Sequence, residues 1–175
     1  AAGPATCAPA PRSPDRPPII IDESDAELAS LPTALALGYA GTSHKNCKGV
    51  FKSVVNACIL AQLRCDGQAT VLSGEDLANV GPIGLLQDLA AQAALGVTSV
   101  ERNGHHYFAG LSEFPAGLQA HALAYHGDVF TRQGAAGWPR VAIRAGQVAV
   151  GSVLRAPFGV AGEPDLTGMA AVDLA

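Results

Sequence analysis

Pro18-Ile19-Ile20-Ile21-Asp22-Glu23-Ser24 is the stretch on which the reading of the fold turns. Three consecutive isoleucines suit a strand buried on both faces, as strands of parallel sheets are, and the run stops at two carboxylates. A second stretch, Gly41-Thr42-Ser43-His44-Lys45-Asn46-Cys47-Lys48-Gly49, repeats the plan with a lysine at its end, Lys45 standing 23 positions after Asp22. Each stretch runs into residues patterned as helix. A buried strand that delivers a charged side chain at its C-terminal end is how parallel α/β enzymes present catalytic groups.

Outward from these two stretches the same rhythm continues. Residues 18–22 are expected as the first strand. Ser24 or Asp25 then caps a helix over 26–37, whose Leu28, Leu31 and Leu35 share a face and which Gly38 stops. Residues 39–45 form the second strand. Residues 50–63 are the clearest helix, with Phe51, Val54, Val55, Cys58, Ile59 and Leu63 at three- and four-residue spacing as its expected inner face. Residues 68–72 form a third strand ending in Ser73-Gly74-Glu75-Asp76. Gly81-Pro82 opens a helix with Ile83, Leu86, Leu89, Ala90 and Ala93 inward and Leu95-Gly96 closing it. Residues 97–100 are a fourth strand, followed by Glu101-Arg102-Asn103-Gly104-His105-His106.

Alternating strands and helices at this period predict right-handed βαβ units on a parallel sheet, and the charged strand ends then share one rim. That makes 18–111 four βα units. Residues 1–17 form an irregular start, because six of the twelve prolines fall within the first eighteen residues. Residues 112–175 read as a C-terminal tail: a short amphipathic helix after Phe114-Pro115, then a hairpin of Val141 and Ile143 against Val148 and Val150 around Ala145-Gly146-Gln147.

Composition sets the outer bounds. The 175 residues are 49% hydrophobic and 15% charged, with a net charge of −4, which fits a globular core and argues against nucleic acid as a partner. The apolar runs are too short for a membrane span, and the proline-rich start has no signal core. The four cysteines form no CxxC pair, so reduced thiols and a cytoplasmic location are expected, with Cys58 a small core residue.

Taken together, Ile20-Ile21-Asp22-Glu23-Ser24, the lysine-centred Ser43-His44-Lys45-Asn46-Cys47-Lys48-Gly49 and the four-strand spacing resemble the second half of the barrel of the enolase superfamily, closest to the mandelate racemase and muconate lactonizing enzymes. The resemblance covers about residues 17–166. It implies that residues 18–111 are strands five to eight of a TIM-type barrel. It also implies Asp22 as a metal ligand, Lys45 as the catalytic acid/base, and Glu101 as an acid that hydrogen-bonds substrate. Mg²⁺ is the cofactor it implies and a small carboxylate, such as an acid sugar, the substrate; the reaction is abstraction of the α-proton in a racemase, dehydratase or cycloisomerase. Glu23, His44, Lys48, Ser73, Glu75 and His105 are further pocket candidates, and Lys48 is the alternative base if the register slips. The chain departs from the family in having Cys47 and Lys48 where small glycines are usual, and in lacking a histidine at the seventh strand end, which points to lysine-based chemistry.

Each assignment has a plainer competitor. Asp22 could be a capping or surface carboxylate, Lys45 a solvated loop lysine, and Glu101 the partner of Arg102 in a salt bridge. The histidines lack the spacing of a zinc site. A complete barrel also needs about 200–250 residues. The expectation is therefore the C-terminal part of such an enzyme, inactive alone and homo-oligomeric at full length. The alternative is a self-standing, non-catalytic α/β module that self-associates through its sheet edges.

Overall fold

The computed structural model describes residues 16–75, 79–102, 104–135 and 137–170. The expected irregular start therefore lies almost wholly outside the described residues. The fold is mixed α/β. In chain order its elements are α1 Ser30–Ala36, β1 Gly41–His44, α2 Val50–Cys65, β2 Val71–Glu75, α3 Pro82–Ala94, β3 Val100–Glu101, α4 Gly104–Tyr107, α5 Ala116–Tyr125, β4 Phe130–Thr131, β5 Arg140–Val141, β6 Ile143–Arg144, β7 Gln147–Val148 and α6 Gly151–Arg155. No helix among them is long and apolar enough to cross a membrane. The chain divides into two compact units, one made of Ala1–Glu75 with Val97–Ser99 and the other of Asp76–Gly96 with Val100–Ala175.

The first unit is built on parallel pairing. β1 and β2 run side by side with Gly41 opposite Val71 and His44 opposite Gly74. The isoleucine run lies along the other edge of β1. Ile19 O accepts from Ala40 N–H, Ile21 N–H donates to Gly41 O, and Ser43 N–H donates to Ile21 O, at 2.7–3.0 Å. The expected first strand is thus present as a short parallel ladder around Ile21. Beyond β2, Gly74 N–H donates to Ser99 O, as a fourth line of chain would require. The described strands close no barrel.

Two boundaries differ from expectation for local reasons. β2 starts three residues later than predicted because residues 66–70 are used to leave α2. Gln68 N–H reaches Leu63 O and the Thr70 hydroxyl reaches Leu60 O, so ladder pairing begins only at Val71. α1 starts at Ser30 because 26–29 form a turn, and Pro32 then sits in the first helical turn, where a missing N–H costs nothing.

The larger correction concerns α2. Its buried positions are Ser53, Asn56 and Leu60, while Phe51, at 90% exposure, Val54, Val55 and Cys58 face outward. Ser53 pairs with His44 and Asn56 with Asp25, so the helix turns a polar stripe to the sheet. Rotating the apolar face inward would leave those buried polar groups of the loop and strand without partners, at about 1–3 kcal/mol each. Cys58 is accordingly a surface thiol and not a core residue.

The second unit holds the main hydrophobic core. Leu85, Leu86 and Leu89 of α3 cluster with Leu111, Ala122, Val129, Phe130 and Val153. Leu86 and Leu89 are core residues as predicted; the helix also buries Asp88 and Gln92, which hold Arg102 at 2.9 and 2.6 Å. The predicted hairpin is β6 and β7, turned by Ala145 and Gly146, both with positive φ as a type I′ turn requires. The β4–β5 pair and α6 were not foreseen; their runs are too short to carry a period.

His126, fully buried, ties this unit's C-terminal segment down. Its Nε2 accepts from Ala161 N–H at 3.0 Å, so Nδ1 carries the proton and donates to Ser152 Oγ at 2.9 Å. Burial lowers its pKa, the neighbouring His121 lowers it further, and Asp128 acts in the opposite sense. His44 in the first unit is lowered too, chiefly by burial, with Lys48 and Lys52 adding to it against Asn46. The unfolded chain then takes up protons near 6.5 while the folded chain does not. Stability is therefore fully present above that value and falls as pH drops below it. Urea midpoints are expected to decrease from about pH 7.5 to about pH 5. His126→Gln should flatten the slope; an unchanged slope would remove His126 from this role.

Candidate functional site

The strand ends of the first unit converge on Lys45. Asp22 follows Ile21, Lys45 follows β1 and Glu75 ends β2, so parallel pairing alone brings the three to one rim. Lys45 is only 3% exposed. Its Nζ lies 2.9 Å from Asp22 Oδ2, 2.8 Å from Glu23 Oε1 and 3.0 Å from Glu75 Oε2. The other Glu75 oxygen accepts from the Ser43 hydroxyl at 2.7 Å, which fixes the carboxylate beside the ammonium.

Lys48 completes the arrangement. The chain turns through Asn46–Lys48 and brings the Lys48 ammonium back under the rim. There it donates to the second Asp22 oxygen, to Asp22 O at 2.7 Å and to Ser43 O at 3.2 Å. Both carboxylate oxygens of Asp22 therefore face an ammonium.

A second polar layer lies beneath. Asp25, expected as a helix cap, is instead buried: Oδ2 accepts from the Thr42 hydroxyl at 2.8 Å and from Asn56 Nδ2 at 3.0 Å. Lys52 stands 3.0 Å from its Oδ1 as an ion pair, outside hydrogen-bond geometry, and donates to Asp25 O. Thr42 and His44 point to this side by strand alternation, and Ser43 and Lys45 to the rim.

Electrostatics follow from the contacts. Burial alone would raise the Asp22 pKa, but Lys48 and Lys45 reverse this and hold the carboxyl well below the usual carboxylate range. Burial alone would lower Lys45, but Glu23, Asp22 and Glu75 hold it above the ordinary lysine range. Lys45 is therefore a firmly held ammonium in this arrangement.

The remaining predicted site residues divide clearly. Asp22, Glu23, Lys45, Lys48 and Glu75 are brought together. His44 is not a pocket residue: it is buried on the helix side, with Nδ1 2.7 Å from Ser53 Oγ and Nε2 3.0 Å from Asn46 Oδ1. Ser73 is half-buried opposite Ser43 in the ladder. Glu101 lies exposed on β3 in the second unit, and Arg102 forms a salt bridge with Asp88. His105, also in the second unit, has both ring nitrogens on backbone, Nε2–H to Val80 O and Nδ1 from Val141 N–H, each at 3.0 Å.

Sequence reasoning missed Thr42, Asp25, Lys52 and Asn56. The signal was present in α2, where Lys52, Ser53 and Asn56 recur at helical spacing against a strand already read as buried. Mg²⁺ wants several hard oxygen ligands at once. Among the described residues no three His, Cys, Asp or Glu side chains are grouped to share an ion, and the oxygens of Asp22 are taken by lysines. These residues alone do not make a magnesium site. Compared with known proteins, the chain matches no family model, no curated protein and no solved structure.

Proposed function

We propose that the rim around Lys45 is the acid–base part of a site that removes the proton α to a carboxylate, in an enzyme of the enolase-superfamily kind whose strands five to eight this chain supplies. The observation that carries the reading is the 2.9 Å contact of Lys45 with Asp22 at the ends of neighbouring parallel lines of chain. The resemblance of the two quoted stretches adds to it. The substrate class is a small carboxylate, and the Mg²⁺ of that family stays an expectation of the resemblance, because the described residues alone make no magnesium site.

The chemistry available to these side chains is definite. Lys45 as held here is an ammonium and accepts no proton. Anything that draws Asp22 or the exposed Glu23 away from it lowers its pKa towards the range in which an amine acts as a base. Glu75, fixed by Ser43, keeps the Nζ aimed at the rim while this happens. Lys48 holds Asp22 by main chain and side chain and so sets its position.

The test is wash-out of the substrate α-proton in D₂O by the complete gene product, followed by proton NMR over a panel of acid sugars and α-hydroxy acids. Lys45→Arg keeps the cation, but a guanidinium does not release its proton. Exchange in the wild type and its loss, by about 10²-fold or more, in Lys45→Arg is expected. Exchange at the wild-type rate in Lys45→Arg would dismiss Lys45 as the base.

A further inference from the structure

The second unit contains a cleft of about 450 Å³ that the site above does not use. Its lining includes Arg102, His105, Thr131, Gln133, Arg140 and Arg144, and no lining residue is acidic. The volume is that of a small-molecule pocket. Two of its polar residues belong to the wall. Arg102 is neutralised by Asp88 at 2.9 Å and donates to Gln92 Oε1 at 2.6 Å. His105 has both nitrogens on backbone groups, so it is neutral and fixed.

Arg140 and Arg144 differ. Both are exposed, and among the described residues no carboxylate forms an ion pair with either. Their backbones are nonetheless held. Arg140 is paired with Thr131 across the β4–β5 ladder, Arg144 with Gln147 across β6–β7, and Ala142 between them donates to Val129 O at 2.8 Å. Two short ladders thus hold two arginines that lack a carboxylate partner among the described residues on the wall of one concave space, which Thr131 and Gln133 also line.

We propose that this cleft binds a compact dianion of the phosphate-monoester type. A carboxylate is satisfied by a single guanidinium fork, whereas a terminal phosphate has three oxygens and two charges for two forks. A nucleic acid would need a basic track, and the charge here is confined to a cleft on a chain of net charge −4.

Calorimetry on the whole chain at low salt tests it, with glycerol 3-phosphate, inorganic phosphate, malonate and a mixed single-stranded oligonucleotide as probes. Saturable one-to-one binding of glycerol 3-phosphate is expected, with inorganic phosphate competing and malonate weaker. Arg140→Gln with Arg144→Gln should weaken it by about tenfold or more, Arg144→Gln alone by less, and the exposed Arg64→Gln outside the cleft not at all. The proposal is overturned by no saturable binding at millimolar probe, by an unchanged affinity in the double variant or in the single variant should the double not fold, by an equal loss in Arg64→Gln, or by binding of malonate or the oligonucleotide in preference.

Discussion

Replacing Lys45 by alanine is expected to cost about 3 kcal/mol or more at neutral pH, because it removes the shared partner of three carboxylates at a buried position. The rim changes from three carboxylates against two ammoniums to three against one, with Lys48 left to Asp22 alone. Most of the cost falls on Asp22 and Glu75. Glu23 is 80% exposed, so water and salt screen it, and Glu23→Gln should cost less than about 1 kcal/mol. The pH dependence separates charge from lost packing. The folded pKa of Asp22 is depressed below 3.8, so its contribution is present above that value and lost as pH falls through the folded one. The folded pKa of Lys45 is raised above 10.5, so its contribution is present below 10.5 and lost only in strong alkali. As the carboxylates protonate, their repulsion in the alanine variant disappears, and its deficit should shrink by about pH 3. Urea midpoints of both proteins at pH 7 and pH 3 measure this. A deficit under about 1 kcal/mol, or one equal at both pH values, would mean that Lys45 is not the hub of the rim.

That rim was legible because strand ends are the one place where sequence order alone fixes proximity. An apolar run stopping at Asp22 and a second run stopping at Lys45 must meet if the runs pair in parallel, and they do. The partner set was less legible. Lys48 was a fallback base, yet it grips Asp22, because the turn at Asn46–Lys48 reverses the chain within one residue of the strand end. The ionic state of Lys45 could not be read from the sequence either, since it depends on how many of the nearby acids lean inward.

α2 shows where periodicity misleads. Phe51, Val54, Val55 and Cys58 keep perfect helical spacing, but a hydrophobic stripe names a face without naming what lies opposite it. Opposite lay His44 and Asp25, already buried by the strand and its loop, and their need for partners outweighed the burial of the valines. The second unit was obscured for another reason. Its strands are two residues long, below the length at which alternation can be seen, and α3 packs its leucines on Phe130 and Val153, distant in sequence.

Gly41→Ala should disrupt the first unit as severely as any single methyl group can. A Cβ built at Gly41 meets the backbone of Val71 on the paired strand, overlapping its carbonyl oxygen and standing 2.8 Å from its carbonyl carbon. Flexible side chains can swing away from such a contact, but this one is main chain on both sides. Gly41 O also accepts from Ile21 N–H, and Ala40 O from Val71 N–H, so the residue is clamped between two ladders. The strands must part, and they are the strands that carry Lys45 and Glu75 to the rim. Overpacking of this kind costs about 3 kcal/mol or more. Gly67→Ala is the control: it has positive φ at 82° but nothing within 4 Å of the added methyl, so only backbone strain of about 1–2 kcal/mol applies. In urea unfolding at neutral pH Gly41→Ala should therefore lose about twice as much stability as Gly67→Ala or more. Equal losses in the two variants would show that the β1–β2 pairing does not hold the rim together.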